Sequence, residues 1–143
     1  MAHFLIAEAR FYTDLADELA AGAIEALEAE GHTYERVAVP GALEIPAAMM
    51  IGYRNPKAYD GYIALGVVIR GETSHYDIVA GESSRALMDL TLDPGLAIGN
   101  GIQTVENRDQ AWVRANRSDK NKGGGAAKAA MTLAALRHTM GTQ

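Results

Sequence analysis

Within residues 66–77, GVVIRGETSHYD, the branched apolar residues Val67, Val68 and Ile69 give way at once to Arg70, Gly71, Glu72, Thr73, Ser74 and His75. The second half holds the groups that proton transfer beside an anion requires. A histidine with an ordinary pKa of about 6.5 moves a proton near neutrality. A glycine and hydroxyl loop leading into a helix offers N–H and O–H donors to a phosphate. Elsewhere, Phe11 and Tyr12 form a pair that can stack on a flat ring, and Glu44, after Pro40, Gly41, Ala42 and Leu43, is a carboxylate able to accept from hydroxyls. Taken singly, each has a plainer reading. His75 suits a surface, Phe11 a core and Glu44 the solvated first turn of a helix, while Thr73 and Ser74 are ordinary helix starters. The basic stretch with Arg114, Arg117, Lys120 and Lys122 reads equally as a wet surface.

What brings these residues together is the order of elements. HFLIAEA (3–9) is a short apolar run, and residues 13–31 carry Leu15, Leu19, Ala23, Ala26 and Leu27 at helical spacing before Gly31. A strand over 34–41, closed by Pro40 and Gly41, precedes a helix over 42–53, with Pro46 in its first turn. The run 59–69 is too uniformly apolar to have a wet face, which predicts a central strand covered on both sides. A third helix from Asp77, a fourth strand over 95–102, a short helix over 106–116 that Asn107 can cap, and an alanine-rich helix over 126–141 complete the chain. Strands alternating with helices predict a four-stranded parallel sheet in a three-layer α/β sandwich. In such folds ligands collect outside the carboxyl ends of the strands. That rule selects Arg10, Phe11 and Tyr12, then Pro40 to Glu44, then Arg70 to His75, then Asn100, Gly101 and Ile102. Together they describe a site for a planar, polyhydroxylated, phosphate-linked reaction.

Composition narrows the classes. The 143 residues, 48% hydrophobic and 22% charged with net charge -5, fit one globular domain and do not favour nucleic acid. With no cysteine there is neither a disulfide framework nor a thiolate nucleophile, and the four histidines lack metal-ligand spacing. No phosphate-binding P-loop, dinucleotide fingerprint or zinc-protease motif is present. Neither a metal nor a cofactor is expected. The start of the chain shows no basic leader and no apolar run of the ~18 residues that a membrane span requires, so a cytoplasmic protein is expected.

Taken in order, ARFY (9–12), VPGALEIP (39–46), LGVVIRGETSHYD (65–77), GIQTVEN (101–107) and NKG (121–123) resemble the lumazine synthase family over nearly the whole chain. The resemblance implies a flavodoxin-like αβα sandwich, one domain over residues 1–143. It implies condensation of 5-amino-6-(D-ribitylamino)uracil with (S)-3,4-dihydroxy-2-butanone 4-phosphate to 6,7-dimethyl-8-ribityllumazine, phosphate and water, the penultimate step of riboflavin biosynthesis. By position, it implies that Phe11 stacks on the pyrimidinedione, that Ala42, Leu43 and Glu44 hold the ribityl chain, and that Val67, Val68 and Ile69 read the uracil edge with backbone groups. Glu72 and Thr73 match the butanone-phosphate loop, Arg114 the phosphate clamp and His75 the proton-transfer residue. Asn100, Arg114 and Lys122 match positions that a neighbouring subunit contributes. The implied assembly is a homo-oligomer with sites at subunit interfaces, a pentamer or multiples of it. Asn100 stands where relatives often carry an aromatic residue, and the N-terminal extension of many members is not seen before the first strand. The alternative is a catalytically weak lumazine- or flavin-binding or shell-forming member; an archaeal-type riboflavin synthase is the enzymatic rival.

Overall fold

The computed structural model describes residues 1–55 and 59–141. Four strands form one parallel sheet: β1 (His3–Ala9), β2 (Thr33–Val39), β3 (Gly61–Ile69) and β4 (Ile98–Val105), in the order β2-β1-β3-β4. Five helices connect and follow them: α1 (Thr13–Ala29), α2 (Ile45–Tyr53), α3 (His75–Leu92), α4 (Arg108–Ala115) and α5 (Lys122–Thr139), with a 3₁₀ turn over Ala42–Glu44 leading into α2. The expected three-layer α/β sandwich is therefore present, with the strand order of flavodoxin-like sheets.

Strand side chains alternate between two cores. Phe4 and Ile6 of β1 with Ile63, Leu65 and Val67 of β3 pack against α1, α4 and α5. Leu5, Ala7 and Ala9 with Tyr62, Ala64 and Val68 pack against α2 and α3. β3 is buried along nearly its whole length, as its unbroken apolar sequence predicts. Edge strand β2 has no fully buried residue and mixes half-buried with exposed positions instead.

Some helix limits follow local chemistry. Gly31, just past α1, has a left-handed φ of 77° and provides the expected stop. Asn107 caps α4 by accepting from the Gln110 amide at 2.9 Å. Several boundaries depart from the sequence expectation, the start of the fourth strand at Ile98 rather than Gly95 among them. The third helix starts at His75, two residues before Asp77. The fourth strand runs on to Val105 rather than closing at Ile102. The last helix begins at Lys122 and takes in Gly123, Gly124 and Gly125, which read as a loop. At two positions glycine lets α5 and its cap approach α1 closely: a Cβ on Gly123 would stand 2.1 Å from the Leu19 carbonyl oxygen, and one on Gly22 of α1 would stand 2.4 Å from Asn121 Oδ1. Asn121 closes that helix end from a left-handed conformation, accepting from the Gly124 amide at 3.2 Å.

Candidate active site

At the carboxyl ends of β1, β2 and β3 lies an open cavity of about 490 Å³, lined by Phe11, Tyr12, Pro40, Gly41, Ala42, Leu43, Glu44, Val67, Val68, Ile69, His75 and Val79. A smaller cavity, about 390 Å³, lies at the opposite end of the sheet around Phe4, His32, Asp60 and His138. The larger one is where crossover loops of a parallel sheet converge. It gathers the ring-stacking, ribityl and proton-transfer candidates into one place: Phe11, Ala42, Leu43, Glu44, Val67, Val68, Ile69 and His75.

The walls follow from how each strand ends. β1 stops at Ala9, and Phe11 stands 73% exposed, its ring meeting Tyr12 edge-on at 4.9 Å between centroids. An apolar ring so open to water is available to stack on another flat ring. β2 stops at Val39 before Pro40, and the 3₁₀ turn that follows is closed by Glu44, whose Oε1 accepts from the Gly41 amide at 2.9 Å. Its Oε2 has no hydrogen-bond partner among the described residues and remains able to accept.

β3 contributes backbone. Its ladder to β1 ends at Glu8↔Leu65, whereas its ladder to β4 continues to Ile69↔Val105. Along Val67 to Ile69 the edge that faced β1 thus has no strand to pair with. The side chains are nevertheless spoken for: Val67 and Ile69 pack into one core and Val68 into the other. The abrupt change inside GVVIRGETSHYD therefore marks the point where a central strand outruns its neighbour, and its amides and carbonyls become a hydrogen-bonding edge in the cavity.

His75 follows as the exposed first residue of α3, its amide bonded to Thr73 Oγ1 at 3.3 Å. Val79, one turn on, carries the same helix face into the cavity wall. Sequence reasoning passed over Val79, although its spacing from His75 was the available signal. Arg70 is not a free anion binder. Its Nε donates to Glu106 Oε2 at 3.0 Å, its Nη1 lies 3.7 Å from Asp77 Oδ1, and its guanidinium covers the Tyr76 ring at 4.2 Å. Glu106, its first partner, holds its pKa above the ordinary arginine value.

The remaining candidates do not line this cavity. Glu72 and Thr73 are exposed in the loop before α3. Asn100 is not at the end of its strand: it pairs with Ala64, while Gln103 pairs with Val67. It stands three residues, roughly 10 Å, short of the cavity level, and its Oδ1 accepts from the Ile102 amide at 3.0 Å. Arg114 is half-buried on α4, donating to the Gln110 carbonyl at 3.0 Å, and Lys122 is exposed at the start of α5. The lining of the cavity thus includes a carboxylate, an imidazole and an apolar ring but no lysine or arginine.

The profile of the 6,7-dimethyl-8-ribityllumazine synthase family matches residues 1–138. Similar curated proteins carry the same name. One from Novosphingobium aromaticivorans is 61% identical over 137 residues, covering 96% of this chain and 97% of the relative. One from Agrobacterium fabrum is 58% identical over 143 aligned residues, 97% of each. One from Bartonella tribocorum is 58% identical over 139 residues, 97% of this chain and 92% of the relative.

Proposed function

The chain belongs to the 6,7-dimethyl-8-ribityllumazine synthase family, and from that premise we propose that the 490 Å³ cavity is the ring-binding half of its active site. The protein is a transferase of riboflavin biosynthesis that condenses 5-amino-6-(D-ribitylamino)uracil with (S)-3,4-dihydroxy-2-butanone 4-phosphate. The observation that carries the assignment of the cavity is the unpaired β3 edge at Val67 to Ile69 beside an exposed Phe11. A pyrimidinedione needs one flat apolar face and an edge of alternating donors and acceptors. Glu44 Oε2 and the backbone around Ala42 and Leu43 then take the ribityl hydroxyls.

The amine is already a nucleophile and the ketone an electrophile, so formation of the carbon–nitrogen bond needs chiefly alignment, which can supply several kcal/mol without a covalent catalyst. His75 handles the proton as phosphate leaves, and Glu72 and Thr73 hold the phosphate substrate. The charge on that phosphate calls for cations that this cavity's own lining lacks. Arg114 and Lys122 supply them from the adjacent subunit, which also brings Asn100 to the ribitylaminouracil, so the working unit is a ring, a pentamer as the base assembly, with sites between subunits. Also in keeping with this, α2 and α3 leave Ile51, Tyr53, Ile78, Met88 and Leu92 exposed, apolar side chains that a subunit contact would cover. We place the protein in the cytoplasm, with two small-molecule substrates; among the described residues no helix is long and apolar enough to cross a membrane.

The deciding experiment is turnover with both substrates, following lumazine absorbance and phosphate together, with the assembly mass measured on the same sample. Equal amounts of product and phosphate are expected, at a mass of five subunits or a multiple. Tight product binding without phosphate release would make it a binding protein, and riboflavin formed from lumazine alone would make it a dismutating enzyme.

A further inference from the structure

Glu8 is 2% exposed, the one charged side chain among the described residues in the buried core, and no step above uses it. It is the penultimate residue of β1 and faces two arginines. Its Oε1 accepts from Arg10 Nη1 at 2.8 Å and from Arg36 Nη2 at 3.0 Å, and its Oε2 accepts from Arg36 Nε at 2.5 Å. Arg36 comes from the middle of β2, and the second guanidinium nitrogen of Arg10 pairs with Asp17 of α1. The Arg10 amide also donates to the Val39 carbonyl at 3.1 Å. The buried carboxylate therefore ties the end of β1 to the middle of β2, and Arg10 carries the link on to Asp17 of α1 and, through its own amide, to the end of β2.

Stability alone does not explain such a group, since buried ion pairs often do no better than apolar residues of the same volume. Their best-attested use is to fix one geometry among several. What lies next to this one is specific. Arg10 immediately precedes Phe11, which is largely exposed and touches only the Tyr12 ring among aromatic partners. Val39 immediately precedes the Pro40 to Glu44 segment of the facing wall. A ring with so little packing takes its position from its backbone, and that backbone is anchored through Arg10.

We propose that Glu8 is a positioning residue for the ring-binding wall: through Arg10 it sets where Phe11 stands relative to the Pro40–Glu44 segment, and so governs recognition of the pyrimidinedione substrate. The inference rests on the reading of Phe11 as the stacking residue. It concerns one substrate of the two. A merely structural role would affect both alike, or neither.

Steady-state kinetics on Glu8→Gln, Arg10→Met and Phe11→Ala test it, with Tyr59→Phe as a control that breaks a hydrogen bond to Glu35 away from the cavity. Glu8→Gln and Arg10→Met are expected to raise KM for the ribitylaminouracil, and the Kd of the lumazine product, about tenfold, while KM for the butanone phosphate stays within about twofold. Tyr59→Phe should leave both KM values unchanged. Should Glu8→Gln fail to fold, Arg10→Met decides, because there Glu8 keeps Arg36. An unchanged ring-substrate KM in folded Arg10→Met, or parallel rises for both substrates, overturns the proposal. If Phe11→Ala itself leaves that KM unchanged, the stacking reading falls and takes this inference with it; if Phe11→Ala raises it and Arg10→Met does not, only this inference falls.

Discussion

His75 illustrates how much a single side chain owes to its place. In isolation a histidine between a serine and a tyrosine is as well explained by a wet surface as by chemistry. Placed at the first position of α3 and on the wall of the cavity, it faces that cavity and has no competing side-chain partner among the described residues. His75→Ala is expected to lower kcat roughly 10²-fold and leave product affinity nearly unchanged, because alignment of the two substrates does not depend on it. A kcat within about twofold of the parent in steady-state assays would remove it from the mechanism. In the proposed mechanism Arg114 belongs to a different step. Losing a guanidinium from a phosphate clamp should raise KM for the butanone phosphate roughly tenfold or more and spare KM for the ribitylaminouracil; titrating each substrate at saturation of the other distinguishes the two. Glu44 shows a third pattern: it is a first-turn helix acid whose Oε1 holds the Gly41 amide, and it also lines the cavity, so the plain reading does not exclude the proposed one.

The strands and helices that hold these residues were legible wherever periodicity and end signals coincide, as in α1 with its Gly31 stop and α4 with its Asn107 cap. They were misread where tertiary contact overrides local preference. Gly99 and Gly123 are small for the sake of a neighbour's backbone: a Cβ on Gly99 would stand 1.8 Å from the Ala126 carbonyl oxygen. Gly99→Ala should therefore push α5 off β4 and lower stability by about 1–3 kcal/mol, read as a fall in the denaturant midpoint with an unchanged slope. At the other end of the sheet, Tyr59 donates to Glu35 Oε1 at 2.6 Å, and this bond, aided by burial, pushes its pKa from 10.0 up to about 12. A raised folded-state pKa contributes stability that is fully present below the unfolded value of 10.0 and is lost as pH rises through about 12. Tyr59→Phe is expected to be less stable than the parent by about 1 kcal/mol at neutral pH, and the gap should close across that alkaline window in denaturant titrations.

The cavity is lined by a ring platform, a carboxylate and an imidazole but no lysine or arginine, and in the proposed function it is half of a site for a phosphorylated substrate. The proposed ring assembly makes a sharp prediction about mixed subunits. Assayed with the butanone phosphate well below the parental KM, where each is poorly active alone, His75→Ala and Arg114→Ala proteins should regain about a quarter of the parental rate when dissociated together and reassembled, because in a head-to-tail ring about a quarter of the interfaces pair an intact His75 with an intact Arg114. No recovery in reassembled, mass-verified mixtures would place both residues in one subunit's site. The sequence by itself determined the α/β class, the central place of β3 and the strand ends at which Phe11, Glu44 and His75 would be found, because these depend on apolar periodicity and chain order. Only the tertiary structure decided that β3 outruns β1 to expose its backbone edge, that Asn100 stands three residues short of the cavity, and that Glu8 draws Arg10 and Arg36 together. Register between strands and pairing across 28 residues of chain are set by packing of whole elements against one another, and no local pattern encodes them.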